Sequence, residues 1–118
     1  MEERRRFPRL VSTIDVDYKP LQGDRGLVVS ASKNISACGV CIFLKEPVAN
    51  GTLLEVAFSL PGGQRLFKLI GKVVWVKGFE IGKSSGYEAG IEFSQISEEE
   101  RQLINSYVVH ILGLGPNK

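Results

Sequence analysis

The sequence predicts an all-β protein, a six-stranded antiparallel β-barrel with a C-terminal α-helix. Three observations predict it. Apolar and polar residues alternate at period two through most of the chain, as in half-buried strands. Turn chemistry interrupts the alternation at Pro20 to Gly26, at Asn50-Gly51 and at Pro61-Gly62-Gly63. Only after Ser97 does the period become helical. Six short strands in an open sheet would leave exposed edges, and closure into a barrel removes them.

The first strand is expected over Leu10 to Tyr18, with Leu10, Ser12, Ile14, Val16 and Tyr18 on one face. The second runs from Leu27 to Ser32. The third follows Asn34-Ile35-Ser36-Ala37-Cys38-Gly39 and ends near Lys45. The fourth, Thr52 to Ser59, carries Leu54, Val56 and Phe58 on one side. The fifth and longest spans Arg65 to Lys77, with Phe67, Leu69, Val73 and Trp75 on the core face. A loop is expected from Gly78 to Gly86, then a sixth strand from Tyr87 to Ser94. Ser97-Glu98-Glu99-Glu100 is a capping box with an acidic first turn. Leu103, Ile104, Tyr107, Val108, Ile111 and Leu112 then form one apolar stripe that would dock on the barrel, and Gly113 and Pro116 stop the helix.

The 118 residues suit one domain with a core of its own, needing no disulfide or metal staple. A net charge of +2 is too small to imply a duplex nucleic-acid binder. No apolar run approaches the ~18 residues of a membrane span, so no membrane insertion is expected. No apolar stretch follows the N-terminal arginines as in a secretory signal, and two cysteines without such a signal read as reduced thiols. The expectation is a cytoplasmic protein.

Two clusters carry chemistry. Arg4-Arg5-Arg6-Phe7-Pro8-Arg9 puts four guanidiniums just ahead of the first strand, with Pro8 stiffening the segment. A guanidinium is planar, permanently charged and forked, so it grips phosphate in two parallel hydrogen bonds or matches the O6/N7 edge of guanine. Read alone, such a run is a solvated basic tail. Asn34 and Ser36, two apart at a strand start, project to one face with donors and acceptors, and Gly39 lets a ligand or another backbone approach. Read alone, that segment is a polar turn.

Taken together and in order, the clusters resemble the PilZ family of cyclic di-GMP receptors. The family's R-x-x-x-R stretch is matched by Arg5-Arg6-Phe7-Pro8-Arg9, and its D/N-x-S-x-x-G stretch by Asn34-Ile35-Ser36-Ala37-Cys38-Gly39. Tyr87-Glu88-Ala89-Gly90-Ile91-Glu92-Phe93 is similar to the family's last barrel strand. The resemblance implies a flexible ligand-binding segment over residues 1–9 and a barrel domain with its helix over residues 10–118. It implies that Arg5 and Arg9 clamp phosphate and guanine, that Asn34 and Ser36 read the ligand, and that Gly39 keeps room beneath it. Arg4 is a further candidate, positioned to meet a second, intercalated ligand molecule. On this reading the protein is a sensor whose arginine segment changes conformation on binding cyclic di-GMP and which signals to an unidentified protein partner, in motility or biofilm control.

Other features read as structural. Cys38-Gly39-Val40-Cys41 lacks further ligands for zinc, and residues three apart in a strand point to opposite faces. No metal or cofactor is expected. The single His110 flanks the helix stripe, Asp15 and Asp17 fall on the solvent face, and Trp75 and Phe67 read as core. No acid–base or nucleophile constellation argues for an enzyme. Two alternatives remain: a PilZ-like interaction domain that binds no nucleotide and serves pilus assembly or motility, and a barrel for single-stranded nucleic acid. The latter needs exposed aromatics on a basic groove.

Overall fold

The alternation becomes a barrel in the computed structural model, which describes residues 7–23, 26–63 and 65–113. In chain order the elements are β1 (Leu10–Val11), β2 (Asp15–Pro20), β3 (Val28–Ile35), β4 (Gly39–Leu44), β5 (Leu53–Ser59), β6 (Leu66–Ile81), β7 (Ser84–Gln95) and α1 (Glu98–Leu112). The sheet order is β1-β3-β2-β5-β6-β7-β4, and β3 also pairs with β4. That last pairing closes β2 to β7 into a six-stranded antiparallel barrel, with the two-residue β1 appended to β3. The all-β barrel with one terminal helix is the architecture the alternation predicts.

Inside the barrel, Val16, Ile35, Ile42, Leu54, Val56, Phe58, Leu69 and Val73 are essentially sealed from water. Phe58 stacks between Phe67 and Phe93, with ring centroids 5.3 and 6.3 Å away. Removing these inward faces from water is the main force holding the barrel closed.

Three boundaries differ from expectation. The second strand, expected to end at Ser32, runs on to Ile35, so Asn34 lies near the end of β3 and not at a strand start. The first strand breaks at Ser12–Ile14, although its inward face is as predicted. Across the break, the buried Ser32 hydroxyl donates to the Ser12 carbonyl at 2.6 Å and accepts from the Ile14 amide at 3.0 Å. A side chain thus satisfies backbone groups that a regular ladder would have paired. The expected loop over residues 78–86 is instead paired strand, running out to Ile81↔Ser84 around Gly82-Lys83. Two residues suffice for that reversal.

The helix begins as its capping box predicts. The Glu100 amide donates to Ser97 Oγ at 3.1 Å, and the Ser97 amide donates to Glu100 Oε1 at 2.9 Å. Its packing stripe is narrower than expected: Ile104 and Val108 are buried and Tyr107 partly so, while Leu103, Ile111 and Leu112 remain exposed. No helix among the described residues is long and apolar enough to cross a membrane.

Candidate functional site

The site lies on the outer wall of the barrel, where β3, β4, β7 and β6 run side by side. Register places Asn34 opposite Cys41, Cys41 opposite Gly90, and Gly90 opposite Trp75. Paired residues in antiparallel strands face the same side, so these four form one outward row. Three inter-strand steps make a floor about 14 Å wide. The neighbouring row is Gly39, Glu92 and Lys72. An open pocket here is lined by Arg9, Asn34, Gly39, Trp75, Gly90 and Glu92, among others.

Two bulges build its ends. The β3–β4 register shifts between Ser32 and Asn34, and the β6–β7 register shifts between Val73 and Trp75. A bulge adds one unpaired residue and re-aims the side chains beyond it. On β3 it sends both Lys33 and Asn34 outward. On β6 it overturns the expected burial of Trp75: Phe67 is 3% exposed, as expected of a core residue, but Trp75 is 40% exposed. Past the bulge, the side chain that strict alternation assigns to the core faces solvent. The run Val73-Val74-Trp75-Val76 has no polar partner residue, and that loss of alternation is the sequence signal for the slip. The Trp75 indole then covers Gly90, where an added Cβ would meet its Nε1 at 2.1 Å.

Among the described residues, a hydrogen bond joins the two motif clusters. Arg9, arriving on the segment before β1, donates from Nη1 to Asn34 Oδ1 at 2.5 Å, although the residues are 25 apart in sequence. Phe7, inside the R-x-x-x-R stretch, packs against the core with the Arg101 guanidinium 6.0 Å from its ring centroid. Arg4 and Arg5 lie outside the described residues.

Ser36 and Gly39 shape the turn between β3 and β4. Ser36 is 1% exposed; its Oγ accepts from the Cys38 amide at 3.0 Å, and its amide donates to the Gly39 carbonyl at 2.9 Å. Its O–H keeps a donor in reserve. The group that approaches Gly39 closely is backbone: an added Cβ would sit 2.1 Å from the Ile91 carbonyl oxygen of β7.

Beside the row, on the same face, Glu88 of β7 is buried, and Lys33 Nζ holds its Oε1 at 3.0 Å. The Cys41 thiol donates to the same oxygen at 3.7 Å. Burial pushes this thiol from 9.0 up to about 11, with the Glu88 charge adding to the effect. Glu88 raises Lys33 above 10.5, chiefly through the hydrogen bond. Both shifts make the folded state hold protons that the unfolded chain releases, so stability falls as pH rises. For Cys41 the loss runs from pH 9 to about 11; for Lys33 it begins above 10.5. Urea unfolding of wild type should therefore weaken between pH 8.5 and 10, and Cys41→Ala should flatten that decline. An equally steep decline in the variant would remove Cys41 as its source.

Cys38 and Cys41 are both free thiols. Among the described residues no cluster of His, Cys, Asp and Glu could hold a metal ion. His110 and Asp15 are exposed and Asp17 half-buried, outside the pocket.

A family profile described as the PilZ domain matches residues 3–110. Comparison with curated proteins finds no match. Among solved structures, the Bacillus subtilis inhibitor of motility MotI/DgrA superposes with a TM-score of 0.75 at 23% identity, over 96% of this chain and 53% of that one. The PilZ domain of YcgR from Escherichia coli, solved with c-di-GMP, gives 0.73 at 14% identity, over 93% of this chain and 92% of that one. The K. pneumonia MrkH–c-di-GMP complex gives 0.72 at 17% identity, over 98% and 55%. At these identities the likeness is one of fold, and the chain spans about half the length of MotI/DgrA and MrkH. The profile match, over most of the chain, assigns it to a family: it belongs to the PilZ domain family.

Proposed function

We propose that this domain binds cyclic di-GMP on the outer wall of its barrel and, without catalysis, passes the binding event to a protein partner in the cytoplasm. The observation that carries the reading is the Arg9–Asn34 hydrogen bond at the rim of an open pocket. It joins the two clusters that supply phosphate-gripping and base-reading groups. Arg5 and Arg9 clamp phosphate and guanine, and Arg4 stands ready for a second ligand molecule. Asn34 reads the ligand, and Ser36 and Gly39 hold the turn that presents Asn34. Trp75 adds a face on which a purine can stack, across the floor from Asn34. The arginine segment changes conformation as the ligand arrives, and ordering of a segment on binding is a common switch. The structures solved with c-di-GMP support the ligand, and the likeness to an inhibitor of motility supports a regulatory output.

The chain has one tryptophan, and it lines the pocket, so its fluorescence is a direct reporter. Titration with cyclic di-GMP should change the emission saturably, and titration calorimetry should give the same affinity. Trp75→Ala should weaken binding by roughly 5- to 100-fold, the range for losing one base–aromatic stack, with little change in melting temperature because the ring is partly in solvent. No heat and no emission change at millimolar nucleotide would end the proposal. The nucleotide-free interaction domain would then be the better reading.

A further inference from the structure

We infer that Glu92 is the residue that selects guanine in this pocket, its carboxylate accepting from the adjacent N1–H and N2–H donors on the Watson–Crick edge. The inference rests on the cyclic di-GMP reading above and deepens it.

Of the side chains that line the pocket, only Asn34 and Glu92 carry oxygen. Asn34 Oδ1 is already engaged by Arg9. Glu92 is exposed on the outer face of β7, two residues along from Gly90 and on the same side. Its neighbour on β4 is Gly39, which has no side chain, so its flank toward Arg9 and Asn34 is open. The other outward carboxylate near the site, Glu88, is buried and held by Lys33. Among the described residues no ion pair engages Glu92.

Lys72, opposite Glu92 on β6, makes no ion pair with it, and an unpaired carboxylate beside a phosphate-gripping arginine repels phosphate unless it has ligand donors to meet. Arginine and the indole N–H donate only, so neither can accept from a base. Guanine presents two neighbouring donors on its Watson–Crick edge, which a carboxylate matches in two parallel bonds. Adenine presents one donor and one acceptor there, and hypoxanthine lacks the N2 amino group. A site built to pair such groups discriminates strongly against analogues that lack them.

The test is calorimetric titration of wild type and Glu92→Gln with three probes: cyclic di-GMP, its inosine counterpart and cyclic di-AMP. Wild type should prefer cyclic di-GMP over the inosine compound by about 10-fold or more. Glu92→Gln should lose affinity for cyclic di-GMP by a similar factor, and the preference should shrink toward unity. A melting curve like wild type's would place the effect on binding, since Glu92 is exposed. A variant with unchanged affinity and unchanged preference overturns the inference while leaving the ligand reading intact. So does tighter binding by Glu92→Gln, the result expected if the carboxylate only repels phosphate. Wild type that binds none of the three probes sinks the ligand reading itself, and this inference with it.

Discussion

Arg9→Ala should lower affinity for cyclic di-GMP by roughly 10- to 100-fold, the loss expected for one charge-assisted hydrogen bond. Arg9 belongs to the R-x-x-x-R stretch, and its guanidinium reaches the barrel through Asn34. Truncation removes the cation and frees Asn34 Oδ1 at once. Lys at this position should recover only part of the loss, because an ammonium keeps the charge but not the planar fork. Adding Arg5→Ala should take binding beyond the reach of ordinary titration if both arginines grip the ligand. Calorimetry on the single and double variants checks this, with thermal melts as the folding control; Arg9 is exposed, so the melts should barely move. Full affinity in the Arg9 variant would show that the arginine–asparagine contact is incidental to binding.

Gly39→Ala should have the largest effect on stability. The new methyl would sit 2.1 Å from the Ile91 carbonyl oxygen and 3.2 Å from Glu92 Cα, both backbone atoms of the paired strand β7. Neither can turn aside, so β4 and β7 must separate where the barrel wall carries the site. Overpacking of this kind costs about 1–3 kcal/mol, which for a domain of this size lowers the melting temperature by roughly 5–15 °C. Gly90→Ala is the informative contrast. Its methyl would meet the Trp75 indole, a side chain that can swing into solvent. That variant should melt near wild type while its tryptophan emission and nucleotide affinity change. If Gly39→Ala kept its stability and lost only ligand affinity, the glycine would serve the ligand and not the barrel.

These contrasts show where the sequence was legible. The glycine of the D/N-x-S-x-x-G stretch could be located by its motif, but the two uses of a missing Cβ, room for ligand or for another strand, look the same in one dimension. Ser36 was legible as a polar group at a strand start. That it is buried and occupied in holding a turn depends on the residues packed over it. Glu88 was legible as an outward residue of the last strand, and it is outward. That it is buried and paired with Lys33, 55 residues away in the chain, was not legible.

The sequence by itself determined the barrel, the inward faces of β2, β5 and β7, the capped helix and the residues that mark the family. Each of these is local: a period, a turn or a cap is written in residues a few positions apart. Only the tertiary structure decided that Trp75 faces solvent, that Arg9 meets Asn34, and that Glu92 lines the same pocket, exposed beside Gly39. Those outcomes depend on register between strands distant in the chain. One inserted residue in a ladder reverses the face of every later side chain on that strand, and no local pattern of residues fixes which partner strand will absorb it.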